Sequence, residues 1–155
     1  NRLSFGVQAR QPRLLRRLGR IHTAEEVEQA VAAARAAGFE NLNLDLMYDL
    51  PGQTPDDFRE TLLWALSLEP THISAYSLIV EEGTPFCALQ QAGRLELPGE
   101  EAEAEMEAIL AELLGAAGFR QYEVSNWARP GFECQHNQVY WRNELYLGLG
   151  CGAHS

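Results

Sequence analysis

Apolar and polar positions alternate in three separated runs of the chain, and this two-residue period predicts β-strands. The predicted strands cover residues 2–8, 41–47 and 72–78. In the second strand Leu42, Leu44 and Leu46 share one face, and the opposite face carries Asn43, Asp45 and Met47. A fourth, short strand is predicted at residues 121–125.

Helical segments are predicted between these strands from apolar spacing and from capping residues. Thr23 with Glu26 forms a capping-box sequence, and Gly38 is a typical residue after a helix end. Thr54 followed by Pro55 predicts a further helix start. The predicted helices cover residues 12–18, the segment from Thr23 to Gly38, the segment from Thr54 onward, and residues 99–117.

Alternation of strands and helices predicts an α/β fold with a parallel sheet, which is either doubly wound or part of a barrel. Strands of a doubly wound sheet are apolar on both faces. Here one face carries Ser4, Gln8, Asn43, Asp45, Ser74 and Tyr76. Barrels place ligands at polar positions near the carboxyl ends of their strands. The polar face therefore favours a barrel wall.

Two regions are predicted along the chain. Residues 1–125 would form the barrel segment, and residues 126–155 a loop-rich extension with many aromatic residues and glycines. The sequence opens at Asn1 directly into a strand and stops at Ser155 without a tail. We therefore expect the chain to be a fragment of a longer protein.

The net charge of −10 opposes direct binding to nucleic acid or to an anionic membrane. Membrane contact is therefore expected only through a partner. Cys87, Cys134 and Cys151 are too few and too widely spaced for a disulfide framework. A cytoplasmic location is the resulting expectation.

Gln8 and Asp45 lie at or near strand carboxyl ends on the polar face. Each is either a solvated strand end or a ligand for a small molecule, and a buried Asp needs a hydrogen-bonding partner such as a sugar hydroxyl. Arg20 is either a surface residue or a ligand whose planar guanidinium binds a carboxylate.

The segment from Cys134 to Trp141 has the greatest density of candidate ligands. Cys134 and His136 could ligate a metal, but two ligands do not make a structural zinc site. His136 is either a hydrogen-bonded structural residue or, beside Tyr140 and Trp141, part of a site for a flat macrocycle such as haem. His154 follows a glycine-rich run and could reach the barrel mouth.

Three stretches resemble the radical SAM family of oxygen-independent coproporphyrinogen III oxidase. They are Asn1-Arg2-Leu3-Ser4-Phe5-Gly6-Val7-Gln8, Leu18-Gly19-Arg20, and the stretch from Asn43 through Leu50-Pro51-Gly52-Gln53-Thr54. The ending, His136-Asn137-x-x-Tyr140-Trp141 and Gly150-x-Gly152-Ala153-His154-Ser155, is more similar to the haem-chaperone branch of that family.

This resemblance implies part of a (βα)6 barrel, about strands four to six, with S-adenosylmethionine and a [4Fe–4S] cluster as cofactors. Gln8, Arg20 and Asp45 would line the S-adenosylmethionine site, with Asp45 at the ribose and Arg20 at the carboxylate. Ile79 and His154 would contact the apolar parts of that cofactor.

The resemblance also implies that His136, Asn137, Tyr140 and Trp141 handle haem. The partners would be haem or porphyrin and a haem-accepting apoprotein. The alternative is the oxidase, which decarboxylates coproporphyrinogen III to protoporphyrinogen IX. Whether the parent protein is an enzyme stays open, and this chain alone is expected to be inactive.

The sequence departs from the family pattern at two places. Its three cysteines lack the Cys-x-x-x-Cys-x-x-Cys spacing of the cluster loop, so the cluster ligands are expected outside this chain. Asp49 stands before Leu50-Pro51, where a glycine is common in the family.

Overall fold

The structure is a computed structural model that describes residues 1–153. Five strands form one sheet in the order β1-β2-β3-β5-β4. They are β1 (Leu3–Gln8), β2 (Leu42–Tyr48), β3 (His72–Ser77), β4 (Arg120–Gln121) and β5 (Asn126–Ala128). β1, β2 and β3 are parallel as predicted, whereas β5 runs antiparallel to both β3 and β4.

The single strand predicted at residues 121–125 is wrong, because the chain turns there. The backbone N–H of Tyr122 donates to the Asn126 carbonyl at 3.2 Å, and the Gln121 side chain donates to the Val124 carbonyl at 3.0 Å. These bonds close a tight connection between β4 and β5. The short hairpin covers the edge of β3, so the sheet is mixed.

Six helices connect or follow the strands in the described part of the chain. They are α1 (Pro12–Arg17), α2 (Ala24–Ala36), α3 (Pro55–Ser67), α4 (Pro85–Gln91), α5 (Glu100–Ala116) and α6 (Gln135–Trp141). The capping box of Thr23 and Glu26 is present, and Thr54 with Asp57 forms a second one. α6 was not predicted. Cys134 at its N-cap makes no side-chain capping bond and the helix buries no residue, so the sequence has neither a capping signal nor an apolar stripe there.

Helices α2, α3 and α5 pack against one face of the sheet. The buried residues include Val27, Val31, Phe58, Leu62, Met106 and Ile109 on the helices and Leu42, Leu44 and Leu46 on β2. α5 buries Leu114, whereas Leu113 is only partly buried. Truncating a fully buried Phe58 to alanine would cost about 3–5 kcal/mol of stability.

A smaller apolar cluster lies at the carboxyl ends of the parallel strands. It joins Ala9, Leu14 and Leu50, with Leu18, Met47 and Leu78 packed around them. The cluster fixes α1 and the turn after β2 at the same edge of the sheet. Among residues 1–153, no helix has the length and apolar character needed to cross a membrane.

Candidate cofactor site and aromatic cavity

Asp45 lies on the polar face of β2, between Gly6 of β1 and Ser74 of β3. Its carboxylate accepts hydrogen bonds from the Ser4 hydroxyl at 2.9 Å and from the Asn43 amide at 2.8 Å. Asp45 is half-buried. Each carboxylate oxygen has two lone pairs, so Asp45 retains capacity to accept from two further donors.

Asn43 is the centre of this polar face. Its Nδ2 donates to Ser4 Oγ at 2.7 Å as well as to Asp45, which assigns its Oδ1 as an acceptor. That oxygen lies 2.6 Å from Nδ1 of His72 and accepts from Ser74 at 3.3 Å. Nδ1 of His72 must therefore carry a proton and donate it.

His72 also forms a hydrogen bond with Tyr122, in which the Tyr122 hydroxyl is the donor. Nε2 of the imidazole lies 2.7 Å from the Tyr122 hydroxyl, and in this tautomer it accepts that proton. Burial, with a smaller contribution from the Arg2 charge, lowers the pKa of His72 to about 4. His72 is thus neutral at pH 7. This agrees with its hydrogen bonds, since only a neutral imidazole can donate from Nδ1 and accept at Nε2.

Tyr122 connects this chain to the segment before α6. Its hydroxyl oxygen accepts from the Cys134 backbone N–H at 3.2 Å, and burial raises the pKa of the phenol. The polar face network is the set Ser4, Asn43, Asp45, His72, Ser74 and Tyr122. His72 stands at the start of β3, and its side chain is fully buried.

Gln8 follows a β-bulge in β1 and pairs with Leu46 of β2. The register of β1 against β2 shifts between Gly6 and Gln8, and Gln8 has a φ of 66°. A Cβ on Gly6 would lie 3.2 Å from Nε2 of Gln8, so the absence of a side chain there leaves room for the amide. The Gln8 amide therefore lies next to Gly6, whose cross-strand partner is Asp45.

Arg20 and Ile79 lie at the same carboxyl edge of the sheet. Arg20 follows α1 in a Schellman motif, in which its N–H donates to the Leu15 carbonyl at 2.9 Å and Gly19 has a φ of 68°. The Arg20 side chain is exposed and has no hydrogen-bonding partner among the described residues. Ile79, two residues after β3, is 74% exposed. His154, also predicted here, lies outside the described residues.

Asp49 directly follows β2 and has a φ of 58°, in the left-handed region that favours glycine and that Asp tolerates. This explains how Asp49 can replace the glycine that is common in the family. One carboxylate oxygen is buried without a partner in the described part of the chain. Burial, with the nearby Glu103 charge, raises the pKa of Asp49 to about 6.

An open cavity of about 380 Å³ lies beside α6. Its lining includes His136, Tyr140, Tyr146, Leu147 and Leu149. Nε2 of His136 lies 3.0 Å from the Tyr140 hydroxyl, and the Tyr140 ring meets the Tyr146 ring edge-on with centroids 4.6 Å apart. The cavity therefore combines one imidazole with aromatic and apolar walls.

Of the other predicted residues on α6, Asn137 is half-buried and Trp141 is 62% exposed. Neither lines the cavity. Cys134 and His136 are not part of a larger set of metal-ligating side chains. Within residues 1–153 no group of three or more His, Cys, Asp or Glu side chains could hold a metal ion.

Sequence reasoning missed Tyr122 entirely. Tyr122 is 50 residues from His72 in sequence, and no local pattern connects the two. The polar face of the strands pointed to Ser4 and Asn43, but the hydrogen bonds that join them depend on strand register.

Comparison with known proteins relates the chain to the radical SAM superfamily and to haem chaperones. Residues 1–65 match the radical SAM superfamily. Over 99% of its length the chain is 51% identical to the heme chaperone HemW of Bacillus subtilis, and over its whole length it is 46% identical to that of Synechocystis sp.. The chain spans 41% and 38% of the length of these two relatives.

Among solved structures, coproporphyrinogen III oxidase (HemN) from Escherichia coli, a radical SAM enzyme, is similar with a TM-score of 0.74. It shares 27% sequence identity, over 90% of this chain and 32% of that one. The predicted α/β fold, part of a radical SAM barrel, is confirmed by this similarity.

Proposed function

We propose that this chain is part of a radical SAM protein and forms the S-adenosylmethionine-binding wall and the haem-handling surface of a haem chaperone. The single observation that carries the proposal is the cavity beside α6, where His136 stands among aromatic and apolar side chains. The similarity to the heme chaperone HemW relatives supports it. Because the chain spans about two fifths of those relatives, the activity of a whole protein is part of the proposal.

The family implies S-adenosylmethionine as a cofactor, and the residues present fit it. Asp45 retains acceptor capacity for ribose hydroxyls, and the Gln8 amide lies next to Gly6, the cross-strand partner of Asp45. Arg20 offers an uncompensated guanidinium for the methionine carboxylate, and Ile79 an exposed apolar surface. S-adenosylmethionine supplies a 5′-deoxyadenosyl radical when it is reductively cleaved, and these residues would bind and orient it.

The family also implies a [4Fe–4S] cluster, and the described residues do not fit it. Its ligands are cysteine thiolates. Cys87 and Cys134 are half-buried and far apart in sequence, Cys151 is exposed, and none of them joins a ligand group. We therefore propose that the cluster ligands lie outside this chain.

Haem would bind in the α6 cavity with His136 as a candidate axial ligand. Its hydrogen bond to Tyr140 holds the imidazole against the cavity wall. Leu145, Leu147 and Leu149 are at least four-fifths exposed beside the cavity. We propose that this apolar surface also meets a haem-accepting apoprotein, so that any membrane contact of a cytoplasmic chaperone would occur through that partner.

A haem titration followed by absorbance tests this assignment. We expect the native chain to shift the Soret band, and His136→Ala to weaken haem binding at least about tenfold because the axial nitrogen is lost. The matched control is His22→Ala, since His22 bonds the Val7 carbonyl at 3.1 Å and lies outside the cavity. Equal haem binding by native chain and His136→Ala would refute the haem-handling proposal.

Binding of S-adenosylmethionine is tested by amide chemical-shift changes in the chain. Without the cluster we expect weak, millimolar binding that Asp45→Asn reduces further, since the amide replaces one acceptor with a donor. Asp56→Asn is the control, because Asp56 is exposed on the first turn of α3. Shifts confined to residues away from β1 and β2 would contradict the site.

The second candidate function is the oxidase that decarboxylates coproporphyrinogen III. The similarity of 0.74 in TM-score to coproporphyrinogen III oxidase favours it. A longer protein containing this chain and a reconstituted cluster would then convert coproporphyrinogen III to protoporphyrinogen IX. Product formation under reducing, anaerobic conditions is the measurement that separates the two functions.

A further inference from the structure

Two adjoining cavities at the carboxyl edge of the sheet lie between α1, the turn after β2 and the segment around α4. Their volumes are about 390 and 350 Å³, and both are lined by Arg17 and Phe86. They form one groove. We name it the arginine groove and define it by Arg16, Arg17, Phe86, Leu89, Arg94 and Leu95.

The arginines of this groove differ from most others in the chain, whose 12 basic residues are all arginine. Elsewhere the guanidinium groups bond carboxylates, backbone carbonyls or side-chain amides, as do those of Arg2, Arg10, Arg13, Arg35, Arg59, Arg129 and Arg142. Within residues 1–153, Arg16, Arg17 and Arg94 make no side-chain hydrogen bond or ion pair. Three uncompensated cations thus face one groove in a chain of net charge −10.

Arg17 is held against the backbone of the turn after β2. A Cβ on Gly52 would lie 3.1 Å from its Nη1 and 3.3 Å from its Cζ, so the missing side chain admits the guanidinium. Gly52 also has a φ of 71°, where other residues are strained. The guanidinium therefore lies against the turn, although Arg17 as a whole is exposed.

The walls between these cations are apolar. Phe86, Leu89, Leu95 and Pro51 line the larger cavity, and Leu18 and Pro85 the smaller one. Glu96 also lines the larger cavity, but its carboxylate lies beyond 4 Å of every arginine in the described chain and forms no ion pair there. Guanidinium forks beside apolar walls suit a ligand that combines carboxylates with a flat apolar body.

We propose that the arginine groove binds the propionate edge of a tetrapyrrole, with its carboxylates at Arg17 and Arg94 and its ring edge on Phe86 and Leu89. This inference rests on the proposed function for the class of ligand. It adds a second contact region at the carboxyl ends of the parallel strands. The start of α6 lies at their amino ends, because Tyr122 joins it by hydrogen bonds to His72 at the beginning of β3.

Metal-free protoporphyrin IX is the probe, because it has carboxylates but no iron for His136. Titrated into the chain and followed by its fluorescence, it is expected to bind at least about tenfold more weakly to Arg17→Gln/Arg94→Gln than to the native chain. Arg120→Gln is the matched control, since Arg120 is exposed and unpaired within residues 1–153 but lies on β4, outside the groove. We expect that control to stay within about twofold of native.

A ligand-side test requires no variant. The dimethyl ester of protoporphyrin IX keeps the ring and lacks the negative charges, so we expect it to bind at least about tenfold more weakly than the free acid. Equal affinity for acid and ester, or native-like binding by the double variant, would overturn the proposal. Displacement of the porphyrin by submillimolar inorganic phosphate would also overturn it, in favour of a phosphate site.

These readouts separate this inference from the proposed function. Loss of haem binding in His136→Ala concerns the iron ligand, whereas protoporphyrin binding depends on the arginines. If His136→Ala binds haem like the native chain, but the double arginine variant loses protoporphyrin, the haem-ligand assignment fails and the groove stands. The reverse pattern removes the groove and leaves the haem ligand.

Discussion

The polar face network and the α6 cavity are both candidate binding regions, but they are held in different ways. The network lies between paired parallel strands, and Asn43, His72 and Ser74 are buried with all their bonds inside the protein. The wall of the cavity is held together mainly by contacts between residues near in sequence, such as His136 with Tyr140 and Tyr140 with Tyr146. The region proposed to position a cofactor is thus built into the sheet, whereas the region proposed to exchange a ligand is open.

The largest difference is expected when the same residue type is removed from each region. Asn43→Ala should lower the free energy of unfolding by about 2–4 kcal/mol, because His72, Ser74 and Ser4 lose buried partners. Asn137→Ala on α6 should change it by less than about 0.5 kcal/mol. Urea denaturation measures both, and equal losses would show that the two regions are equally integrated in the fold.

The pH dependence of stability sharpens the comparison within the sheet. The pKa of His72 falls from 6.5 to about 4 on folding, so its contribution is present above pH 6.5 and is lost as pH drops toward 4. The pKa of Asp49 rises from 3.8 to about 6, so its protonation stabilises the folded state as pH falls through the same range. The two effects oppose each other.

Asp49→Asn should therefore expose the histidine effect. We expect this variant to lose about 3 kcal/mol of stability between pH 7 and pH 4, whereas the native chain changes by much less. Asn is chosen because it tolerates the left-handed backbone at this position. Urea midpoints across the pH range provide the measurement, and parallel curves for the two proteins would contradict the opposing pair.

A smaller effect is expected at the junction of the two regions. Tyr122→Phe removes the hydroxyl that joins His72 to the Cys134 backbone, and should cost about 1–2 kcal/mol. Tyr76→Phe is the control, because Tyr76 is 42% exposed and makes no hydrogen bond through its hydroxyl among the described residues. Hydrogen exchange at residues 134–141 should accelerate in Tyr122→Phe, and unchanged exchange would show that α6 does not depend on this bond.

The smallest expected effect lies in the cavity itself. Tyr140→Phe removes an exposed hydrogen bond to His136 and should alter the free energy of unfolding by less than about 0.5 kcal/mol. Haem affinity should fall by only about two- to fourfold, well below the effect of His136→Ala. A loss of stability above 1 kcal/mol would show that the cavity is more tightly integrated than its exposure indicates.

The fold was largely predictable where a local signal existed. Apolar alternation predicted β1, β2 and β3, and the capping box at Thr23 placed the start of α2. The hairpin of β4 and β5 was not predictable in detail, because residues 120–128 gain their strand conformation by pairing with β3. α6 carries neither a side-chain cap nor a buried stripe, so nothing in the sequence distinguished it from a loop.

The candidate site divides in the same way. Gln8 and Asp45 follow from strand polarity, Arg20 was a candidate because its guanidinium suits a carboxylate, and the resemblance to a known family added Ile79. The roles of these four residues, and the division of the chain at residue 125, stay predictions. The unpaired arginines of the groove could not be recognised from sequence, because only the structure shows that Arg10 and Arg13 find carboxylates while Arg17 does not.

By itself, the sequence determined the parallel strands and the side of each strand that is apolar. Apolar periodicity, capping residues and motifs are local properties, so they can be read along the chain. Only the tertiary structure decided the direction of the hydrogen bonds from Tyr122 through His72 and Asn43 to Asp45. That direction depends on strand register and on burial, which exist only once residues distant in sequence are packed together.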